Sequence, residues 1–555
     1  MTVKLGPTTV RLNPLGGLGE IGTNCLAVEQ DDGIVVVDCG ISFPRDDLGI
    51  DVLHPDFSWL TERSDRIVGL FLTHGHEDHL GAVPHLLQQL DVPVWGSPHA
   101  LAMVGRRLSE YELDEDDVDL REAVAGSVHE LGPFLIEPIR VSHSIVEASA
   151  LRIETCAGTI VHTGDFNFDP HPPDGEPTNE ARLRELGEAG VGLLLSDSTN
   201  IDVAERSGCE LQVGEALERH VLAAEARVFI GMFASNVQRL MLLGEIAQRT
   251  GRKICLLGRS LCTQVEIAST IGRLHWPSNL RVSPELAGAM PRNEVLVLAG
   301  GSQAETNSAL ARLARSAHNC MAIESGDTVV LSSRVIPGNE RPVHDMICDL
   351  LRLGAKVVTR ATDPRVHTSG HAVRAEQRRM IELVRPRAFV PVHGTLHHLL
   401  RHAQLARECG VGDVTVVENG TSVRFGDDGL FEDARFAVGK IPIAIGGEPL
   451  DHETLGRRLE LARHGVVHVA LTFNGGRQII AGPAVTAEGV PGVDEDRSAL
   501  DSVAHSVVER IERLRRVQPS DPRLAEEVRR AARRQLFAIC GYRPIVEVAV
   551  LEAGD

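Results

Sequence analysis

Aromatic residues are scarce in this chain: Phe, Trp and Tyr together make up 3% of its 555 residues. The sequence therefore offers few flat side chains on which nucleic-acid bases could stack. It also lacks an excess of positive charge, because 77 Asp and Glu residues against 56 Lys and Arg residues give a formal net charge of −21. This balance argues against nucleic-acid binding through a generally basic surface. A local basic groove, or phosphates neutralised by metal ions, remains compatible with it.

Paired cysteine motifs and long apolar runs are also absent. The ten cysteines are scattered and none forms a C-x-x-C pair, which favours buried free thiols in a reducing compartment. No apolar run is long enough to cross a membrane, and the opening residues MTVKLGPTTV lack the apolar centre of a secretory signal. We therefore expect a cytoplasmic protein with no membrane partner, whose length suits about three domains.

One polar segment concentrates the residue types that bind metals. A predicted buried strand is followed, from His74 to His79, by six residues that include three imidazoles and two carboxylates. Alternate positions in an extended loop turn His74 and His76 towards one side, so that Asp78 and His79 can reach a second point nearby. Neutral imidazole and carboxylate are ligands for zinc or manganese. The spacing predicts a site for two metals, the alternative being a polar loop with solvated histidines.

Several other predicted strands end in a histidine or an aspartate. His143, Asp165, Asp197 and His393 each follow an apolar segment that is typical of a buried strand. Carboxyl ends of strands that share one edge of a sheet form the usual ligand site of α/β folds, so these side chains can meet the segment 74–79. Each residue taken alone is more often structural, and Asp197 could simply cap the turn that follows it.

The pattern along the chain changes twice. After the first region, helical segments alternate with parallel-type strands, and then the strand-end histidines of the first region resume. The simplest interpretation is one domain interrupted by an inserted one, followed by a linker and a small C-terminal domain. The predicted boundaries are 1–208 and 365–438 for the interrupted domain, 209–364 for the insertion, 439–460 for the linker and 461–555 for the C-terminal domain.

These motifs, in this order, resemble the metallo-β-lactamase hydrolases, and more specifically the β-CASP nucleases, in which a second α/β domain is inserted. Longer runs over nearly the whole chain are similar to the bacterial ribonuclease J family, namely GGLGEIG, LTHGHEDHLGAVPHLL, HTGDFNFD, SDSTN, GRS, GSQ, IPGNE, SGHA, PVHG and GYRPIVEVAVLE. The resemblance implies an α/β fold: a metallo-β-lactamase αββα sandwich with an inserted β-CASP α/β domain and a small α/β C-terminal domain.

The resemblance also implies two metal sites per chain. The expected ions are two divalent cations, Zn²⁺ in the first place and Mn²⁺ or Mg²⁺ as alternatives, because five imidazoles suit zinc or manganese better than magnesium. The implied ligands are His74, His76 and His143 for one ion, Asp78, His79 and His393 for the other, and Asp165 as the bridge between them.

Catalytic and RNA-binding roles follow from the same resemblance. His371 would protonate the leaving 3′ oxygen, Asp197 would orient a histidine, and Asp78 is counted with them among the catalytic residues. A helix start after a strand offers free amides for a 5′ monophosphate. The expected RNA- and phosphate-binding residues are His367, Ser369, His371, Ser235 and Asn236.

The implied function is a metal-dependent ribonuclease acting on single-stranded RNA in RNA processing or decay. Water activated by two metals would attack the phosphodiester, in 5′-to-3′ exonuclease mode with endonuclease cleavage as a second expected mode. A homodimer or homotetramer is expected. The chain departs from the usual family pattern around the expected phosphate channel, for example at Gln238, Gln264 and Thr395. A non-catalytic RNA-binding paralogue, a small-molecule metallo-hydrolase and a DNA-directed β-CASP enzyme therefore stay open.

Overall fold

The structure is a computed structural model, and it describes residues 8–30, 33–44, 48–204, 208–474, 478–514 and 522–553. The chain divides into two compact units, Met1–Phe43 with Val52–Ile441 and Pro44–Asp51 with Pro442–Asp555, of which only the residues just given are described. Among these residues, no helix combines the length and the apolar character needed to span a membrane.

Two sheets packed face to face form the core of the first unit. Inward-pointing side chains of both sheets, such as Val35 and Phe71 from one and Ile153 and Val390 from the other, belong to one buried cluster, and their removal from water holds the sheets together. Within the described residues one sheet has eight strands, in the order Gly429–Arg435, Thr421–Gly426, Thr9–Gly16, Cys25–Gln30, Gly33–Val37, Ile67–Phe71, Val94–Gly96 and Leu120–Glu122. The other has seven, in the order Asp413–Val414, Ala388–Val392, Leu193–Asp197, Gly158–His162, Ser149–Thr155, Phe134–Arg140 and His129–Leu131.

Helices cover the outer faces of this sandwich. Leu183, Met380 and Leu405 come from three different helices and pack in one buried cluster with Phe389 of the seven-stranded sheet, because each helix presents an apolar stripe to the sheet. The helix Pro98–Glu110 packs on the strands Val94–Gly96 and Leu120–Glu122 of the eight-stranded sheet, so the predicted αββα sandwich is confirmed. The helices are Ser58–Thr61, Glu77–Leu80, Val83–Leu87, Pro98–Glu110, Glu180–Ala189, Arg374–Val384 and Leu396–Glu408, with single 3₁₀ turns at Ser64–Arg66, Glu115–Asp117 and Pro364–Val366.

A separate parallel sheet is inserted between the two parts of the sandwich. Alternate residues of its strands face opposite sides, so that Ile230 packs in one buried cluster and Phe229 in another. Its described strands, in order, are Arg281–Val282, Lys253–Leu257, Val295–Ala299, Val228–Gly231, Thr328–Leu331 and Lys356–Val358. The first and last of these are too short to produce a periodic signal in the sequence. The helices are Glu210–Leu222, Val237–Thr250, Arg259–Thr270, Pro284–Ala289, Ala309–Ala314 and Glu340–Arg352, with a 3₁₀ turn at Arg292–Glu294.

The second unit is a small α/β unit. Its described sheet has the order Ile479–Glu488, Val466–Phe473 and Ile545–Glu552. The apolar faces of the helices Arg497–Arg513 and Pro522–Cys540 pack on this sheet, with Val503 and Val528 fully buried. The remaining elements within the described residues are the helix His452–His464 and the short strands Leu18–Gly19, Ile50–Pro55, Gly394–Thr395 and Lys440–Ala444.

Candidate metal centre

The segment 74–79 lies at the carboxyl edge of the eight-stranded sheet. The sequence predicts a loop up to His79, but the structure begins a helix at Glu77, so Asp78 and His79 lie in its first turn. Acidic residues at a helix N-terminus interact favourably with the free backbone amides, which explains the early start. The segment packs so closely on Gly40 that a Cβ there would lie 1.7 Å from the backbone oxygen of Asp78. Only glycine permits this approach.

Three ring nitrogens converge in the first ligand set. The Nδ1 atom of His76 lies 3.1 Å from Nε2 of His74 and 3.1 Å from Nε2 of His143. Oδ2 of Asp165 lies 3.7 Å from both of these Nε2 atoms. Ligand atoms around one tetrahedral zinc, with Zn–N bonds of about 2.0–2.1 Å, would be about 3.3 Å apart, so the spacing fits a shared cation. Burial lowers the pKa of His76 to about 3 and that of His143 to about 4, which favours the neutral, ligating form.

A second ligand set lies next to the first. Nε2 of His79 is 3.3 Å from Oδ2 of Asp165, and Nε2 of His393 is 3.5 Å from Oδ2 of Asp78. One ligand atom from each of these four residues lies within 4.8 Å of the others. His393 follows the strand Ala388–Val392 and has a φ of 51°, an unfavourable conformation for a residue other than glycine. The surrounding fold therefore holds this imidazole in place.

Asp165 belongs to both ligand sets. Its Oδ1 accepts a hydrogen bond from Nδ1 of His393 at 2.8 Å. Its Oδ2 is buried and has no hydrogen-bond partner among the described residues, which is unfavourable for a carboxylate oxygen unless a cation is near. Burial alone would lower the pKa of His393, but Asp165 and Asp78 raise it to about 10. The site thus stabilises positive charge, and its donor set fits divalent metal ions.

Asp38 is part of this site, a role that its sequence context did not predict. It follows the strand Gly33–Val37 with a φ of 61°, and its Oδ2 accepts a hydrogen bond of 2.7 Å from Nδ1 of His79. Its Oδ1 also accepts the backbone amide of Thr73 at 2.8 Å. The carboxylate orients His79 so that Nε2 faces Asp165. An aspartate at or shortly after the end of an apolar strand, as at Asp165 and Asp197, was the available signal.

His371 lies beside the metal centre and is held on both sides. Its Nδ1 donates a hydrogen bond to Oδ2 of Asp197 at 2.9 Å. Burial would lower the pKa of His371, but Asp197 and Asp165 raise it above its ordinary value, which favours a protonated imidazole able to act as an acid. Nδ2 of Asn200 donates to Oγ of Ser369 at 2.8 Å and to the carbonyl of His371 at 3.0 Å. Asn200 therefore fixes the segment that carries both residues.

His367 is held by a buried ion pair of the inserted domain. Nη1 of Arg239 donates to Nδ1 of His367 at 3.1 Å, and Nη2 of Arg239 donates to Oε1 of Glu210 at 2.6 Å. Burial and the charge of Arg239 lower the pKa of His367 well below its ordinary value. Because Nδ1 accepts this bond, the proton of the neutral ring lies on Nε2, which remains a hydrogen-bond donor.

The two remaining predicted phosphate-binding residues lie before the helix Val237–Thr250. Asn236 is buried and caps this helix, since its Oδ1 accepts the amide of Arg239 at 2.9 Å. Its Nδ2 lies 3.4 Å from Oε1 of Glu210, so the structure uses its side chain for capping and for the buried ion pair. Ser235 is half-buried in the preceding loop.

A sandwich with this His/Asp cluster at its strand ends defines a metallo-hydrolase of the metallo-β-lactamase type. Family models match in the same order along the chain. They are the metallo-beta-lactamase superfamily at residues 18–206, the ribonuclease J beta-CASP domain at 225–350, the Zn-dependent metallo-hydrolase RNA specificity domain at 360–417 and the ribonuclease J C-terminal domain at 453–553.

Curated relatives match over most of their length. The chain is 38% identical to ribonuclease J of Mycolicibacterium smegmatis over 99% of this chain and 98% of the relative. It is 36% identical to ribonuclease J of Helicobacter pylori over 89% of this chain and 72% of the relative. The chain belongs to the ribonuclease J family of metal-dependent ribonucleases. A crystal structure of an Enterococcus faecalis protein of unknown function shares the fold, with a TM-score of 0.54, 17% identity and coverage of 75% of this chain and 100% of that chain.

Proposed function

We propose that this ribonuclease uses two divalent cations, Zn²⁺ in the first place, to degrade single-stranded RNA from its 5′ end and to cleave some internal sites. The observation that carries the proposal is the position of Asp165, whose Oδ2 atom faces both ligand sets. When bound, such ions would stabilise the charge that develops on a phosphodiester and lower the pKa of the attacking water.

The protein's own side chains supply the acid, the contacts to phosphate and the orientation of the ligands. His371 donates the proton to the leaving 3′ oxygen, and Asp197 keeps its ring oriented and protonated. Ser369 and Nε2 of His367 donate hydrogen bonds to the scissile phosphate. Asp38 orients His79 within the second ligand set. Water attack with this acid leaves a 5′ phosphate on the product.

The domain boundaries, assembly and location complete the proposal. The insertion at 209–364 is supported by a sheet whose described strands all lie between Val228 and Val358. The other proposed boundaries stay at 208, 438 and 460. The proposed assembly is a homodimer or homotetramer built through the C-terminal domain, on which Phe537 and Leu551 are exposed. Cytoplasmic action follows from the proposed RNA substrate.

The proposal is tested with 5′-labelled monophosphate RNA and Mn²⁺ or Zn²⁺. The wild type should release mononucleotides, with shorter internal products at some sites, whereas His76→Ala should lose activity by at least about 10²-fold because one ligand set is broken. His344→Ala, which removes an exposed histidine of the inserted domain, is the matched control. Equal activity of the wild type and His76→Ala would refute the mechanism.

A second candidate is an RNA-binding subunit that does not cleave. It is favoured by Gln238, which stands where the family usually has histidine and whose buried Nε2 atom has no partner among the described residues. This alternative predicts retention of RNA without turnover even when two metals per chain are measured. A small-molecule hydrolase would instead cleave a chromogenic lactam and leave RNA intact.

A further inference from the structure

Arg334 lies beside the segment that carries the proposed phosphate-binding residues. It is half-buried and follows the strand Thr328–Leu331 of the inserted sheet. Its Nη1 donates to Oδ1 of Asn200 at 2.5 Å, and Asn200 in turn donates to Oγ of Ser369. The guanidinium is therefore two hydrogen bonds away from a residue proposed to bind the scissile phosphate.

Among the described residues, no carboxylate balances the charge of Arg334. Across the described ranges, no Asp or Glu oxygen lies within 4.0 Å of a side-chain nitrogen of Arg334 or of Arg360. Arg239, the third arginine near this segment, differs because Glu210 neutralises it in the interior. The chain has a net charge of −21, and two neighbouring arginines that no described carboxylate neutralises can bind an anion from outside the protein.

Arg360 lies at the same edge of the inserted sheet as Arg334, because the strands that these two residues follow pair in parallel, with Val330 beside Val358. It is exposed and follows the strand Lys356–Val358. Burial lowers the pKa of Arg334, and the charge of Arg360 lowers it further. Burial and the charges of Arg239, Arg360 and Arg334 together lower the pKa of His367. This mutual repulsion is unfavourable in the free protein, and an anion between the guanidinium groups would relieve it.

We propose that Arg334 and Arg360 form a phosphate subsite that binds one backbone phosphate of single-stranded RNA next to the phosphate being cleaved. The proposal rests on the ribonuclease function proposed above and adds two RNA-binding residues on the inserted domain. Guanidinium groups match the geometry of phosphate oxygens, and contacts to phosphate carry no base preference. The subsite therefore increases affinity for RNA of any sequence.

The experiment compares Arg334→Gln and Arg360→Gln with Arg341→Gln. Arg341 is a suitable control because its side chain is 94% exposed on the helix Glu340–Arg352 of the same domain. Steady-state kcat and KM are measured on 5′-monophosphate RNA over a range of KCl concentrations. Each subsite variant should raise KM about tenfold with little change in kcat. It should also reduce the slope of log(kcat/KM) against log[KCl] by about 0.7, the value for one lost contact to single-stranded phosphate. Arg341→Gln should behave as the wild type.

Arg334→Lys separates charge from hydrogen bonding. It keeps the positive charge and should recover most of the salt dependence. An unchanged KM and salt slope in both glutamine variants, beside an active wild type, would overturn the subsite while leaving the ribonuclease function intact. A fall in kcat of Arg334→Gln at unchanged salt slope would also overturn it, because Arg334 would then act only by positioning Asn200. A wild type that neither binds nor cleaves RNA would remove the proposed function itself.

Discussion

Nδ1 of His371 lies 2.9 Å from Oδ2 of Asp197, a carboxylate with no solvent exposure. The other oxygen of Asp197 accepts the backbone amide of Thr199 at 2.9 Å and its hydroxyl at 2.7 Å. The carboxylate is therefore fixed from one side and fixes the imidazole from the other. The proton on Nδ1 of the imidazole therefore points towards the aspartate, and Nε2 remains available to the substrate.

Asp197→Asn should lower kcat by about 10²–10⁴-fold with little change in KM, because the orienting charge acts on the acid rather than on RNA binding. Single-turnover cleavage of 5′-monophosphate RNA measures the effect. The double variant Asp197→Asn/His371→Gln should be little slower than His371→Gln alone, since the two residues act as one unit. Asp202→Asn, which changes an exposed aspartate of the same segment paired with Arg401, should retain activity. Additive losses in the double variant would contradict the pair.

Glu210→Gln should destabilise the first unit by about 3–5 kcal/mol, because it leaves the charge of the fully buried Arg239 without its partner. The free energy of unfolding in urea measures this change. Glu218→Gln on the same helix breaks a partly exposed ion pair with Arg249 and should cost less than about 1 kcal/mol. Similar urea midpoints for the two variants would show that the buried pair contributes little.

Asp165→Asn should abolish stabilisation by metal. After treatment with a chelator, addition of Zn²⁺ or Mn²⁺ at 100 times its dissociation constant should stabilise the wild type by about 2.7 kcal/mol for one site. The variant should gain much less, because Asp165 contributes to both ligand sets. Melting temperatures with and without metal measure this stabilisation. The control His344→Ala should be stabilised by metal as much as the wild type. An equal gain in Asp165→Asn would exclude Asp165 as the shared ligand.

His402→Met should make the first unit less sensitive to acid. His402 is fully buried against Phe389, and burial lowers its pKa to about 3. At pH values between this lowered pKa and the ordinary pKa near 6.5, His402 binds one more proton in the unfolded chain than in the folded chain. The free energy of unfolding therefore falls as the pH decreases through this window, by about 1.4 kcal/mol per pH unit. The variant should lose this share of the slope in urea titrations between pH 4.5 and 6.5, whereas the exposed control His344→Met should not.

The sequence pattern was sufficient to predict those metal-site residues that stand at the ends of recognisable strands. The apolar strand before residue 74, the imidazoles that follow it and the strand-end residues Asp165 and His393 are visible in the sequence because alternation and abrupt polarity changes carry the signal. Asp38 has the same signal, yet its partner His79 is 41 residues away. Asn236 caps a helix and also bonds to Glu210, which lies 26 residues away in the chain. The residues around Asn236 do not indicate this distant partner.

The sequence by itself determined the family, the two-sheet sandwich with an inserted sheet and the residue types available for metal binding, because these follow from periodicity and from motifs in order along the chain. Tertiary structure alone decided which atoms meet. Three relationships join residues that are distant in the chain: Oδ2 of Asp165, which has no hydrogen-bond partner among the described residues, lies between two ligand sets, His371 bonds to Asp197, and Arg334 bonds to Asn200. The reason is physical: strand ends that share a sheet edge become neighbours only when the sheets pair and pack, and hydrogen-bond geometry depends on that packing.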